Sequence, residues 1–332
     1  MKIFKTMFLL GALLNSECLM AAQVNFGERS RVTGSNAAAF GYLTEANGES
    51  SVVFGEGSLV FDSGHGAAAF GFYTQARGKG SVAFGFGSRA FGSGSAAFGD
   101  ESYSLGRLSA AFGHSKSVGN FSFSTGSFTT ANAIGSFVTG RGNLRYDDVD
   151  PDVEKITDPL FVVGNGSGRP GYGSNAFTVF ANGLTTVYGD LVVNGRISQS
   201  SDERLKKDIN PLSYGIDEIT ALQTVSYKLK SDGENKTHLG LIAQDVELIL
   251  PELVGEGRDG YKSLDYGKLT VVLVEAIKDL KSDYINLQRE SSETIKEIQR
   301  EHRELVKKVQ RENELLINLL CHDRENKSIC KR

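Results

Sequence analysis

The sequence predicts a mainly β N-terminal half, a parallel β-roll followed by a β-prism-like stalk, joined to an α+β module ending in a long coiled-coil helix. Three observations predict it. Phe-Gly recurs at 26, 40, 54, 70, 84, 98 and 112. Glycine gives way to charge at Ser201, and from about Tyr266 the apolar residues take a three-four spacing.

The repeat comes first. Its units, such as "SVAFGFGSRAFGSG" (81–94) and "SAAFGDESYSLGRL" (95–108), fit the pattern small-Ala-Ala-Phe-Gly-x-x-Ser/Thr-x-Ala-x-Gly-x-x. One 13-residue unit follows Phe112, and the pattern then weakens to Thr125-Gly126 and Thr139-Gly140. A short fixed period implies that each unit is one coil of a stacked solenoid. Helix is excluded, because each interior glycine costs about 1 kcal/mol. Two short strands per coil with glycine at the corners satisfy the pattern, since corners need positive φ. Alternate residues then enter a lumen sized for Ala and Val, and eight coils at about 4.8 Å each make a body about 40 Å long. Such a lumen buries little apolar area at about 25 cal/mol per Å². The phenylalanines are therefore expected to face outward onto neighbouring chains, with a trimer as the closure.

Residues 23–143 carry this roll, and 144–158 form a charged linker containing Asp147, Asp148, Asp150 and Asp152. These acids lack the ligand pattern and glycine turn of a calcium loop. Residues 159–200 return to strand-like runs, "FVVGNG", "NAFTVFANG", "TTVYGD" and "LVVNGRI", with Asn-Gly turn signals at 182–183 and 194–195. A lone hairpin series is marginal, so three interleaved copies are expected.

From Ser201 the order reads as a short helix (214–222), strands at 225–229 and 238–242, and a helix at 243–250. A strand near Tyr261 and a helix over 266–325 follow. The long helix carries a seam of Ile277, Leu280, Tyr284 and Leu287. After a four-residue offset come Ile295, Ile298, His302, Leu305, Val309, Glu312, Leu316 and Leu319. An inserted four is a stutter, and such helices associate.

Composition narrows the function. The chain has 332 residues and a net charge of −4, without the basic excess of a nucleic-acid binder. Residues 1–22 read as an export signal: Lys2 and Lys5, an apolar core over Met7–Leu14, and a small-residue exit at Ala21-Ala22. A secreted or cell-surface location is expected. Apart from Cys18, the cysteines are Cys321 and Cys330, whose spacing resembles no metal site. Neither a metal nor a small-molecule cofactor is expected.

The units of 23–143 resemble the head of trimeric autotransporter adhesins of the YadA type, whose repeats form a left-handed parallel β-roll. Within 201–290, "SDERLKKDI" (201–209), "HLGLIAQDVE" (238–247), "LPELV" (250–254), "SLDYGKL" (263–269) and "LVEAIKDL" (273–280) stand in order. Together they resemble the peptidase S74, or intramolecular chaperone auto-processing, domain. That resemblance implies a module that trimerises, helps the preceding β segment to fold, and then cuts itself off. Carried over, the scissile bond is Ser200–Ser201, the nucleophile Ser201 and the base Lys206. His238 and Gln244 occupy motif positions and are supporting candidates.

The chemistry is reasonable in its own right. A serine hydroxyl needs a base to take its proton, and burial lowers a lysine's pKa. Read locally, however, Ser200 three residues before Glu203 has the spacing of a capping box, with Lys206 on a solvated face. Three functions are carried forward: an exported homotrimeric fibre or adhesin matured by self-cleavage, with a host surface or glycan as its open partner; a phage tail fibre with the same module; and a fibre whose module does not cut. A carbohydrate-active enzyme is disfavoured, because residues 23–200 offer no convincing paired carboxylates.

Overall fold

A computed structural model describes residues 23–146, 148–169, 172–230, 235–257 and 260–322. The signal-like segment, Cys18, Asp147 and Cys330 lie outside them. The chain divides into two compact units, one ending at Ile197 and the other starting at Ser198.

The first unit is a parallel β-solenoid. Each regular coil holds a five-residue strand and a two-residue strand, as in Ala68–Phe72 with Gln75–Ala76 and Val82–Phe86 with Arg89–Ala90. The register keeps one repeat position above another, so Phe70 pairs with Phe84 and Phe84 with Phe98. Strand alternation drives Ala39, Val53, Ala69, Ala83 and Ala97 inward from the long strands and Ala46, Val60, Ala76 and Ala90 from the short ones. All are fully buried. Small side chains are required because the two strand faces meet across a narrow lumen. The corners are closed by buried hydroxyls: Ser58 Oγ donates to the Gly71 carbonyl at 2.8 Å and Ser88 Oγ to that of Gly99 at 2.9 Å. These bonds satisfy carbonyls that the lumen shields from water.

Outside, the repeated phenylalanines stack on one another from Phe40 through Phe54, Phe70, Phe84, Phe98, Phe112, Phe123 and Phe137 to Phe161. The first and second rings lie 4.5 Å apart and the last two 5.5 Å. Each aromatic pair adds about 0.5–1.5 kcal/mol beyond its area burial, so the ladder reinforces what the thin lumen supplies. Phe54, Phe84, Phe112 and Phe137 remain exposed in the single chain.

The glycine that follows Phe40, Phe54, Phe70, Phe84, Phe98 and Phe112 is fixed by space as well as by torsion. Gly85 has φ +116°, and a Cβ there would stand 2.1 Å from the Gly99 carbonyl oxygen. Gly85→Ala is expected to destabilise the head by about 2–4 kcal/mol or to prevent its folding. Gly80→Ala, at φ +64° but with nothing within 4 Å, is expected to cost only about 1 kcal/mol. Urea unfolding of the two variants measures the difference; equal costs would mean that the close approach of coils does not select Gly85.

The charged segment 144–158 interrupts the sequence period but not the ladder. Strand Pro159–Asn165 pairs in parallel with Phe137–Arg141, and the segment loops out between them. It is tied back to the roll by Asn120, whose backbone N–H donates to the Pro151 carbonyl at 3.0 Å and whose Nδ2 donates to Asp152 at 2.7 Å. Strands Asn175–Phe180 and Thr185–Val187 then add an antiparallel meander, with Asn182-Gly183 in its turn. The expected strand run around Asn194-Gly195 differs: it pairs with nothing among the described residues of one chain, and Leu191, Val192 and Ile197 are exposed.

The second unit is a small α/β module. Helices α1 (Ile216–Ala221), α2 (Ala243–Glu247) and α3 (Tyr266–His322) accompany two antiparallel pairs, Thr224–Tyr227 with His238–Leu241 and Val254–Glu256 with Lys262–Leu264. The core gathers Val246, Leu250, Leu253 and Val272. Helix α3 joins this core only through its first turns; from Ile277 to Leu320 every residue is exposed.

Asp265 starts α3 by accepting the Lys268 N–H at 3.0 Å. That backbone hydrogen bond, assisted by the nearby Lys268 ammonium, holds the Asp265 carboxyl below its ordinary value although burial opposes the shift. A depressed carboxylate stabilises the fold above its unfolded pKa, near 3.9, and loses that contribution as pH falls through the folded value. Acidification below about pH 4 is therefore expected to fray the first turn of α3, where the isosteric D265N should show a weaker pH dependence by amide exchange.

Candidate functional site

The boundary segment places the predicted pair together. Residues Glu203–Leu205 form one 3-10 turn, and Lys206 leaves it in extended conformation. The turn brings Lys206 back to Ser201, and Lys206 Nζ donates to Ser201 Oγ at 2.8 Å.

The cap differs from the local expectation. Asp202, not Ser200, begins the turn, accepting the Arg204 N–H at 2.9 Å. The Arg204 guanidinium closes on the same carboxylate at 3.0 Å and 2.8 Å. The side-chain bond first, and the backbone bond second, hold Asp202 below the usual carboxylate range. A charged acceptor two residues from the N–H outcompetes a serine hydroxyl because charge-assisted bonds are stronger. Asp202 therefore fixes the turn that presents Ser201 and Lys206, a positioning role that the sequence did not single out.

The other two candidates stand elsewhere. His238 opens its strand and stacks on Tyr227, ring centroids 5.6 Å apart. Gln244 is exposed on α2. Among the described residues, neither side chain bonds to Ser201 or Lys206.

The remaining motif residues hold the module together. Leu241 N–H donates to the Tyr266 hydroxyl at 3.1 Å, and a Cβ on Gly240 would come within 2.7 Å of that hydroxyl. Asp279 on α3 accepts the Ile216 N–H at 3.1 Å, anchoring α1. Lys262 pairs with Glu247. The Gln199 amide lies 3.7 Å from where a Cβ on Gly267 would stand, so the chain just before Ser201 runs beside the start of α3. Motifs far apart in sequence thus meet through backbone and hydroxyl contacts.

Residues 201–212 are exposed in the single chain, the apolar Leu205 and Ile209 among them. A lysine is a useful base only when desolvated, so in the single chain this contact supplies the geometry without the burial.

Comparison with known proteins agrees with the two-unit division. Residues 201–255 match the Peptidase S74 family, described as chaperone of endosialidase, and the match begins at Ser201. Residues 33–58, 63–88 and 76–102 match the YadA head domain repeat. The chain is 31% identical over 123 residues to myelin regulatory factor homolog 1 of Caenorhabditis elegans, spanning 34% of this chain and 13% of that protein. It is 30% identical over 130 residues to the long tail fiber protein Gp37 of Salmonella phage S16, spanning 36% of this chain and 17% of that protein. The chain thus aligns with less than a fifth of either relative's length. No helix among the described residues is long and apolar enough to cross a membrane. The chain is thus similar to the YadA head repeat within residues 33–102 and to the Peptidase S74 chaperone over residues 201–255.

Proposed function

We propose that this chain is an exported, homotrimeric, adhesin-like fibre whose C-terminal module assembles it and then releases itself at the Ser200–Ser201 bond. The observation that carries the reading is the 2.8 Å contact between Lys206 Nζ and Ser201 Oγ at the first residue of the family match.

Three exposed surfaces support association. The seam of α3 from Ile277 to Leu319, the unpaired run around Leu191 and Val192, and the apolar residues flanking Lys206 all face solvent in one chain. A helix of 57 residues with apolar residues on its outside gains most of its stability from packing partners. Trimerisation covers all three surfaces and desolvates Lys206.

Chemistry follows burial. Neutral Lys206 accepts the hydroxyl proton as Ser201 Oγ attacks the Ser200 carbonyl carbon. The C–N bond breaks, the Ser201 nitrogen takes the proton back from Lys206, and the Ser200 acyl group rests on Oγ as an ester. Water hydrolyses that ester, leaving a Ser200 carboxylate and a free Ser201 amino terminus. Requiring assembly before desolvation couples cutting to correct folding. The released fibre is then held by the barrier to unfolding rather than by its assembler.

Native mass spectrometry tests the assembly: uncut chains are expected at three per particle, and a monomeric particle would overturn it. A second reading, a tail fibre of a phage, draws on the likeness to the Gp37 fibre. Secretion of the chain from its native cell distinguishes the two, because virion fibres are retained until lysis.

A further inference from the structure

One coil of the roll lacks a residue, and the structure shows the consequence. Regular coils turn the corner after the long strand with a residue of positive φ, such as Leu43, Tyr73 and Glu101. The 13-residue coil omits it. Strand Ala110–Ser117 therefore runs straight through the corner, and the register with Phe123–Ala131 slips between His114 and Ser115. Phe128, at φ +59°, bulges over the gap and lies against the His114 ring at 4.4 Å. A bulge of this kind re-aims side chains.

The missing residue opens a cleft of about 500 Å³, within the size range of small-ligand sites. Its floor is the outward row Tyr103, Lys116 and Thr130 on paired strands. The row stops there because the Asn143 side chain takes the place of another strand, accepting the Thr130 N–H at 2.7 Å and donating to its carbonyl at 3.1 Å. Beyond that stop the chain leaves the roll, and Arg145 and Arg169 line the cleft from the two loops that follow.

Charge decides what the cleft suits. Lys116, Arg145 and Arg169 converge on it, and none has a carboxylate partner among the described residues. The acid among its described lining residues, Glu101, faces His114 at 3.8 Å. Three cations without an ion pair among the described residues, on a chain of net charge −4, are a local feature, not a general one. Guanidinium forks pair the two oxygens of a carboxylate. The exposed Phe128 ring offers an apolar face, and Thr130 offers a hydroxyl.

We propose that this notch binds a carboxylated sugar residue of an acidic polysaccharide, the carboxylate on Lys116, Arg145 and Arg169 and the ring against Phe128. The site lies wholly in the head and does not rest on self-release.

The test uses the full chain made uniform by Ser201→Ala. Binding of a glucuronate tetramer is compared with that of a glucose tetramer, a sulfated glucose tetramer and tetraglutamate. The glucuronate tetramer is expected to bind at least about ten-fold more tightly than the glucose tetramer. Lys116→Met and Arg145→Gln are each expected to weaken it about ten-fold with the melting temperature unchanged. Lys79→Met, an exposed lysine on an earlier coil, should leave affinity intact. No binding, equal binding of the glucose tetramer, or equal weakening by Lys79→Met overturns the site. Tighter binding of the sulfated tetramer or of tetraglutamate overturns the assignment to a carboxylated sugar.

Discussion

Ser201→Ala and Lys206→Ala are each expected to leave the chain uncut at Ser200–Ser201, whereas the unaltered chain releases a fragment of 132 residues beginning at Ser201. The loss should be near complete. Removing a nucleophile or its base commonly costs on the order of a thousand-fold or more in rate. Lys206→Arg separates two roles of the lysine. It keeps the cation and can still reach Ser201, but a guanidinium does not give up its proton in a protein, so it should remain uncut as well. Both positions are exposed in the single chain, so melting of the isolated module should hardly change. Asp202→Ala belongs to the same set with a smaller expected effect, since it removes the cap that shapes the turn but neither reacting group. Denaturing gels and N-terminal sequencing of the fragment read the outcome. If Lys206→Arg cuts at the normal rate, lysine is not the base, whatever Ser201 does.

How much of this was legible in the sequence follows from which interactions are local. The lumen was legible because strand alternation is a two-residue rule: Ala at one repeat position becomes Ala39, Ala69 and Ala83 inside the roll without any knowledge of distant chain. The parallel pairing of 137–141 with 159–165 was not, because a hydrogen-bond ladder asks only that the next strand arrive in register. It is indifferent to how much chain loops out in between. The buried hydroxyls of Ser58 and Ser88 were visible only as a preference for small polar residues, since their acceptors lie one coil away. At the boundary, the spacing of Ser200 and Glu203 is a genuine capping signal, but Asp202 with Arg204 makes a stronger one. Ser201 and Lys206 were found through motifs farther along the chain, and their contact then follows from the turn that Asp202 begins. The positions of His238 and Gln244 depend on strand and helix packing that motif order does not encode.

Ile298→Asp combined with Leu305→Asp is expected to convert the trimer to monomers and, in the same step, to stop cleavage with Ser201 and Lys206 untouched. Both side chains are more than half exposed on α3, so the isolated chain loses no contact when they change. Any effect must come from surfaces that only other chains cover. In a three-helix seam each substitution buries three carboxylates side by side. Their desolvation and mutual repulsion cost several kcal/mol per layer, enough to abolish association at micromolar concentration. The consequence for the head follows from loop-closure arithmetic. Strand pairing between separate chains is slow because entropy is lost before contacts repay it, and a seam holding the three chains together raises their effective concentration to about the millimolar range. Without it, the unpaired run at Leu191 and Val192 finds no partners, and soluble head should fall with the trimer. Sedimentation and the cleavage gel distinguish the alternatives. A monomer that still cuts at the normal rate would show that Lys206 needs no burial by neighbouring chains, and the coupling of proteolysis to assembly would be lost even if the dyad were right. A trimer that survives both aspartates would move the assembly surface off α3 and onto the module or the aromatic face of the roll.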